Sequence, residues 1–175
     1  MLLFYNSNIL GLNVALIAAK NPIHRLKIFW EKCESLPFGK NIFSKIFGIL
    51  VPYSGSISPH VLEMGKGYAK VQMDDHRAVR NHLNSVHAMA LANLGEVVTG
   101  MAMLYALPET HRAILIEFHV EFLKKARGQL TAHSSCQLPK LPDALDFEVL
   151  GHIQDSSGQV VSKIKALWRI GKIHE

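Results

Sequence analysis

Between His82 and Glu109 the chain offers only two side chains of the Asp, Glu, Lys, Arg or His types, His87 and Glu96. The segment Leu83–Leu107 within that stretch is rich in Ala, Leu and Met and closes at Pro108. Those residue types favour a helix, and proline cannot continue one. The pattern predicts a helix beginning near Asn81 and running to about Tyr105. A helix apolar on nearly every side must be hidden, inside protein or inside a bilayer. Gly95, Gly100, Asn84, Asn93 and the two ionisable groups argue for protein.

The flanking sequence supplies what would hide it. Ile57–Met64 and Gly67–Met73 are short runs joined at Gly65-Lys66-Gly67, a hairpin-like connection. In the second run Ala69, Val71 and Met73 alternate with Tyr68, Lys70 and Gln72, as a half-buried strand requires. After the helix, Ile114, Ile116, Phe118, Val120 and Phe122 alternate with Leu115, Glu117, His119, Glu121 and Leu123, a long strand with one apolar face. Gly128–Leu138 and Ala144–Gln154 continue more loosely. Asp155-Ser156-Ser157-Gly158 is a turn, and Gln159–Ile170 a last strand. An α+β order of hairpin, one buried helix and about four antiparallel strands packs most simply as one curved sheet around that helix.

The first third differs. Residues 1–19 carry no charged side chain, and Lys20, Arg25, Lys27, Lys32, Lys40 and Lys45 then face only Glu31 and Glu34. That block supplies most of the chain's net charge of +5. It suits a solvated helix face, an anionic ligand or a membrane surface touched through residues 1–45. Met1–Ala19 is interrupted by Asn6, Ser7, Asn8, Gly11 and Asn13, too polar for a span of ~20 apolar residues. Asn8–Lys20 and Ile23–Glu34 read as helices broken at Asn21-Pro22, while Pro37, Gly39, Gly48 and Pro52 punctuate the next stretch of chain. The expected organisation is a helical extension over residues 1–53, packed on a domain of residues 54–175. Cys33 and Cys136 are widely separated, which suits reduced thiols in a cytoplasmic-type compartment.

Among residues able to do chemistry, Glu96 is the most informative. A carboxylate among Ala, Leu, Val and Met must be paired, protonated or turned toward a polar cleft or solvent. Desolvation would raise its pKa toward the range useful to a general base. His87 stands nine residues earlier, which amounts to half a turn beyond two full turns and a rise of ~13 Å. One helix cannot bring the two together. If both serve one site they come from different subunits of a two-fold dimer; otherwise His87 is a core histidine bonded to backbone. Asn81, ahead of the helix, can cap backbone N–H groups or hold a carbonyl or water. First-turn amides around His87 and Ala88 lack intrahelical partners and would suit an oxygen gaining negative charge. His76, His82 and His87 have no zinc-site spacing, so no metal is expected. No phosphate loop or nucleophile elbow occurs. Lys124, Lys125 and Arg127 end a strand without interleaved aromatics, which fits a nucleotide-like ligand or solvent better than nucleic acid.

Asn81, His87 and Glu96, as N-x5-H-x8-E, resemble the spacing in hotdog-fold thioesterases of the phenylacetyl-CoA type, and the element order from about Ser54 to Ile170 fits that family. The wording Arg80-Asn81-His82-Leu83-Asn84-Ser85-Val86-His87-Ala88 is similar to a bacterial branch of that superfamily with an extra N-terminal helical segment. The resemblance implies an acyl-CoA or acyl-carrier-protein thioester as substrate, coenzyme A entering only as part of it. It implies Glu96 as general base or nucleophile reaching the site from the partner subunit, and Asn81 positioning water or carboxylate. The amide of Ala88 would polarise the carbonyl, and His87 would hold the turn or touch the thioester. Lys124, Lys125 and Arg127 would face the coenzyme A phosphates. It further implies a homodimer or dimer of dimers. Where the family has His-Gly-Gly this chain has His87-Ala88-Met89, so glycine's close approach is lost and Met89 would narrow or fill the acyl channel. A non-catalytic acyl-binding or membrane-associated hotdog protein, or a hotdog dehydratase, are the alternatives.

Overall fold

A computed structural model describes residues 22–173. The expected helix Asn8–Lys20 lies outside the described residues. Two helices open the described chain, α1 (Pro22–Glu34) and α2 (Gly39–Leu50), followed by one turn, α3 (Pro52–Gly55). Strands β1 (His60–Gly65) and β2 (Tyr68–Met73) precede a short 3-10 turn at Arg77–Val79 and the central helix α4 (Ala88–Ala106). Strands β3 (His111–Phe122), β4 (Leu130–Ser135), β5 (Ala144–Asp155) and β6 (Val160–Lys172) complete it. All neighbours pair antiparallel in one sheet of order β1-β2-β4-β5-β6-β3. The sheet curves round α4, which touches every strand. This is the hotdog arrangement.

Two hairpins form where turn residues stand. Gly67 takes φ 79°, and a Cβ there would lie 2.2 Å from the Cys136 carbonyl oxygen. At Asp155–Gly158 the Asp155 carboxylate accepts from the Ser157 amide at 3.0 Å and the Gln159 amide at 3.1 Å.

The central helix starts later than its composition suggests. Residues 81–87 form a turn, with Asn84 at φ 52° and a bridge between Arg80 and Val86. The Asn81 side-chain oxygen accepts from the Leu83 amide at 2.9 Å, the Ser85 amide at 3.3 Å and the Ser85 hydroxyl at 3.1 Å. Asn competes with the helix for backbone donors in this way. Val86 enters the core from the turn, and His87 caps α4, its Nδ1 accepting from the Met89 amide at 3.0 Å.

The segment punctuated by Pro37, Gly39 and Gly48 is a helix after all. α2 buries Gly39, Phe43, Ser44 and Phe47. Gly39 is required by contact, since a Cβ there would meet the Cys33 carbonyl oxygen at 1.7 Å. Trp30 stands edge-on to Phe43 with centroids 5.0 Å apart, and both join the core that holds Val71, Leu94 and Ile153. The long strand β3 also departs from simple alternation. A bulge between Leu115 and Glu117 changes its phase. Ala113, Leu115 and Phe118 pack on the core, while Ile114 and Ile116 stay exposed on the other face.

Candidate functional site

Glu96 lies on the stripe of α4 that faces α1 and α2. It lines a cavity of about 170 Å³ together with Leu26, Phe47, Val51, Met64, Val97 and Met101. Gly100, four residues on, lies beside the carboxyl, where a Cβ would be at ordinary contact distance, 3.8 Å, from Glu96 Oε1. Among the described residues the carboxyl has no hydrogen bond or ion pair. Burial pushes its pKa above the usual carboxylate range. Of the possibilities open to a carboxyl in this helix, the structure realises an unpaired one turned to a cavity.

Lys27 and Tyr105 also line the cavity. The Lys27 ammonium donates to the Leu107 carbonyl beyond the end of α4 and lies 5.7 Å from the centre of the Tyr105 ring. Burial lowers the Lys27 pKa, against the raising influence of Glu109 and Glu31. The Tyr105 hydroxyl donates to Glu31 at 2.9 Å, and its pKa is pushed up to about 12, chiefly by burial.

The start of α4 forms a separate region. Asn81, Ala88, Lys124 and Lys125 line one cleft with Leu91 and Phe122. His87 and Met89 line a neighbouring cleft with Val79, Arg80 and Asn93. Of the three amides at this end, that of His87 donates to the Val79 carbonyl at 2.8 Å and that of Met89 to His87 Nδ1. The Ala88 amide alone is left, and the expectation of free amides narrows to it. With the Asn81 oxygen committed to its own turn, only its NH2 group is available to a ligand.

The turn is braced on both sides. Asp75 accepts from Arg80 Nε at 2.6 Å and from the Gly128 amide at 2.9 Å, and Arg127 Nε donates to the Asn84 carbonyl at 3.0 Å. Hydrogen bonding from Arg80 holds the Asp75 carboxyl below its ordinary pKa. Arg127 is therefore engaged in holding the turn. Lys124 pairs with Asp155 at 2.6 Å and also donates to Gln159, holding the Asp155 carboxyl well below its usual range. Lys125 is exposed and, among the described residues, has no ion pair.

The structure thus groups Asn81, Ala88, Lys124 and Lys125, sets His87 and Met89 beside them, and leaves Glu96 elsewhere. Met89 is 55% exposed and does not fill the cavity; Met64 and Met101 line it instead. The wall residues Leu26, Phe47 and Met64 were not singled out from the sequence, and Lys27 was read only as part of the basic block, because they come from three elements distant along the chain. The stripe Glu96, Gly100, Leu104 was readable at helical spacing.

Residues 39–170 match the family described as Domain of unknown function (DUF4442). No curated protein matches the sequence. One similar solved structure, a structural-genomics target, has 26% identity, covers 85% of this chain and 99% of its own, and superposes with a TM-score of 0.74. A protein of unknown function from Pseudomonas aeruginosa, described as a probable thioesterase, has 19% identity, coverage of 79% and 97%, and a TM-score of 0.66. A Haemophilus influenzae thioesterase has 12% identity, coverage of 70% and 85%, and a TM-score of 0.60. The chain therefore belongs to the DUF4442 family and is built on the hotdog fold that thioesterases share.

Proposed function

We propose that the protein hydrolyses an acyl thioester, carried by coenzyme A or an acyl-carrier protein, in sites completed by a second copy of the chain. The observation that carries this reading is Glu96, an unpaired carboxyl with a raised pKa facing an apolar cavity, on a fold shared with thioesterases. As general base, Glu96 takes a proton from water while the water oxygen bonds to the thioester carbon. The carbonyl electron pair moves onto oxygen, where the Ala88 amide of the partner subunit would hold the charge. Collapse of this intermediate breaks the carbon–sulfur bond, and the proton on Glu96 passes to the leaving thiolate. In the alternative course Glu96 itself bonds to the thioester carbon and the carbon–sulfur bond breaks to release the thiolate; water then hydrolyses the mixed anhydride, freeing the acid and the Glu96 carboxylate.

Support for the dimer comes from the half-turn between His87 and Glu96 and from β3. That strand is an edge of the sheet with Ile114 61% exposed, a surface that invites pairing. Lys125 is the cation best left to meet a phosphate. The expected outcome for Glu96→Gln is loss of thioester cleavage by about 10²–10⁴-fold, the usual worth of a general base. Equal rates for the two proteins would remove Glu96 from the mechanism.

A second reading, contact with an anionic membrane surface, is favoured by α2. It buries one apolar face yet leaves Ile49 74% exposed, with Phe38 just before it 81% exposed, near Lys40 and Lys45. Apolar side chains among cations suit a headgroup layer. Co-sedimentation with phosphatidylserine vesicles is expected for the full chain and is expected to weaken at least tenfold in Lys40→Glu/Ile49→Asp. Equal sedimentation of both excludes this surface.

A further inference from the structure

Among the described residues lining the cavity, Lys27 carries the only ammonium, and the hydrolysis proposed above makes no use of it. Its side chain is partly buried on α1, beside Leu26 of the same helix and Leu104 of α4. The ammonium donates to the Leu107 carbonyl, and the centre of the Tyr105 ring lies 5.7 Å away. That carbonyl takes a single N–H, and the rest of the ammonium is left to the cavity it lines. The nearby carboxylates are spoken for elsewhere: Glu31 accepts from the Tyr105 hydroxyl at 2.9 Å, and Glu109 meets His24 at 2.7 Å. Glu109 and Glu31 reach Lys27 as more distant charges, and Lys66 opposes them. Burial outweighs all three and favours the neutral amine. The cavity is open to solvent on one side, so a proton can leave and a ligand can enter.

We infer that Lys27 is a covalent modification site, its amine taking the acyl group from a thioester that enters the cavity, so that the chain acylates itself. A lysine desolvated against apolar walls and held by one neutral acceptor is an activated nucleophile. The inference rests on the thioester reading for the electrophile and is independent of turnover at Glu96. Tyr105, beside the amine, stands nine residues from Glu96 along α4, ~13 Å of rise, so the two groups act at opposite ends of one cavity. The ammonium first gives a proton to water. The nitrogen lone pair then bonds to the thioester carbon while the carbonyl pair moves onto oxygen. Collapse breaks the carbon–sulfur bond, the nitrogen gives up a second proton, and the thiolate takes one up. The products are an acyl-lysine and a thiol. The amide N–H is still able to donate to the Leu107 carbonyl, so the product keeps the bond that orients the amine. The charge is lost, and the acyl group narrows the cavity at its Tyr105 end.

The test incubates the folded wild-type chain with S-acetyl-N-acetylcysteamine, a small thioester, from about pH 7 to about pH 10. Peptide mass spectrometry follows the acetyl group on each lysine. Near neutral pH, Lys27 is expected to be acetylated about fivefold or more faster than the exposed Lys45 and Lys125. Its rate should also level off at a lower pH than theirs, which a merely structural lysine would not show. A Lys27 rate at or below those of Lys45 and Lys125, or a profile that levels off together with theirs, overturns the site. Leu104→Trp, which fills the cavity beside the amine, should slow Lys27 about fivefold and leave Lys45 and Lys125 unchanged, with thermal melting recorded to establish folding. Unchanged Lys27 acetylation in the folded variant also overturns it, and the wild-type profile decides the matter if that variant does not fold. Free acetate is measured in the same samples, for wild type and Glu96→Gln. Adduct on Lys27 in both proteins without release of acetate keeps the modification and sinks the hydrolase; Glu96-dependent release without adduct on Lys27 does the reverse.

Discussion

Glu96 and Asn81 show how single side chains divide between holding the fold and meeting a ligand. Burial raises the Glu96 carboxyl pKa above 4.5, its value when exposed, so the folded protein keeps this proton more tightly than the unfolded chain does. Below that exposed value both states are protonated and folding is unaffected. As pH rises through it the unfolded chain ionises first and folding is disfavoured, the full penalty being reached above the folded-state pKa. Glu96→Gln removes the ionisation. The variant should melt higher than wild type near neutral pH, and the two melting temperatures should converge as pH falls to about 4. A difference constant across that range would mean the carboxyl is not desolvated. Asn81 works the other way, since its oxygen serves the turn and its NH2 group is what remains for chemistry. The spacing to His87 and Glu96 was readable in the sequence. The division of Asn81 into a structural and an available half was not, because it depends on the turn at 81–87 replacing the first turns of a helix.

At the level of elements, the contact between α4 and the sheet sets the geometry. A Cβ on Gly95 would lie 2.5 Å from Ile164 Cγ1 on β6. Helix propensity alone predicts that Gly95→Ala stabilises by about 1 kcal/mol. Overpacking at so close an approach costs about 1–3 kcal/mol, so a net loss is expected. Urea unfolding of Gly95→Ala, Ile164→Ala and the double variant should show the pair costing less than the sum by at least about 1 kcal/mol. Additive costs would place the helix farther from the sheet. Strand β3 shows the limit of periodicity. Ile114, Ile116, Phe118, Val120 and Phe122 share one parity, yet the bulge after Leu115 sends Ile114 and Ile116 outward while Phe118 stays in. A bulge inserts one residue and reverses the faces beyond it, which no alternation count reveals. In α2, likewise, Gly39 is set by its close contact with Cys33 and not by a turn, and the tight approach near Gly48 falls on Gly55, where a Cβ would lie 2.1 Å from the Gly48 carbonyl oxygen.

For the whole molecule, the separation of Glu96 from Asn81 and Ala88 makes subunit mixing the most direct test. Glu96→Gln and Asn81→Ala should each be inactive alone. Unfolded together and refolded at equal concentrations, they should recover about a quarter of wild-type activity, because half the dimers are mixed and each has one intact site. No recovery, with mixed dimers verified by mass spectrometry, would place both residues in one subunit's site.

The sequence by itself determined the order of elements, the buried central helix, the hairpins at Gly65-Lys66-Gly67 and Asp155–Gly158, and the phase that parts His87 from Glu96. Each follows from local propensity, a fixed helical period or turn chemistry, all of which act over a few residues. Only the tertiary structure decided that α4 begins at Ala88, that Ala88 keeps the spare amide, that Lys124 and Arg127 are engaged, and that α1 and α2 wall the cavity facing Glu96. Those outcomes arise from contacts between residues far apart along the chain, where packing and competition for hydrogen-bond partners override local preference.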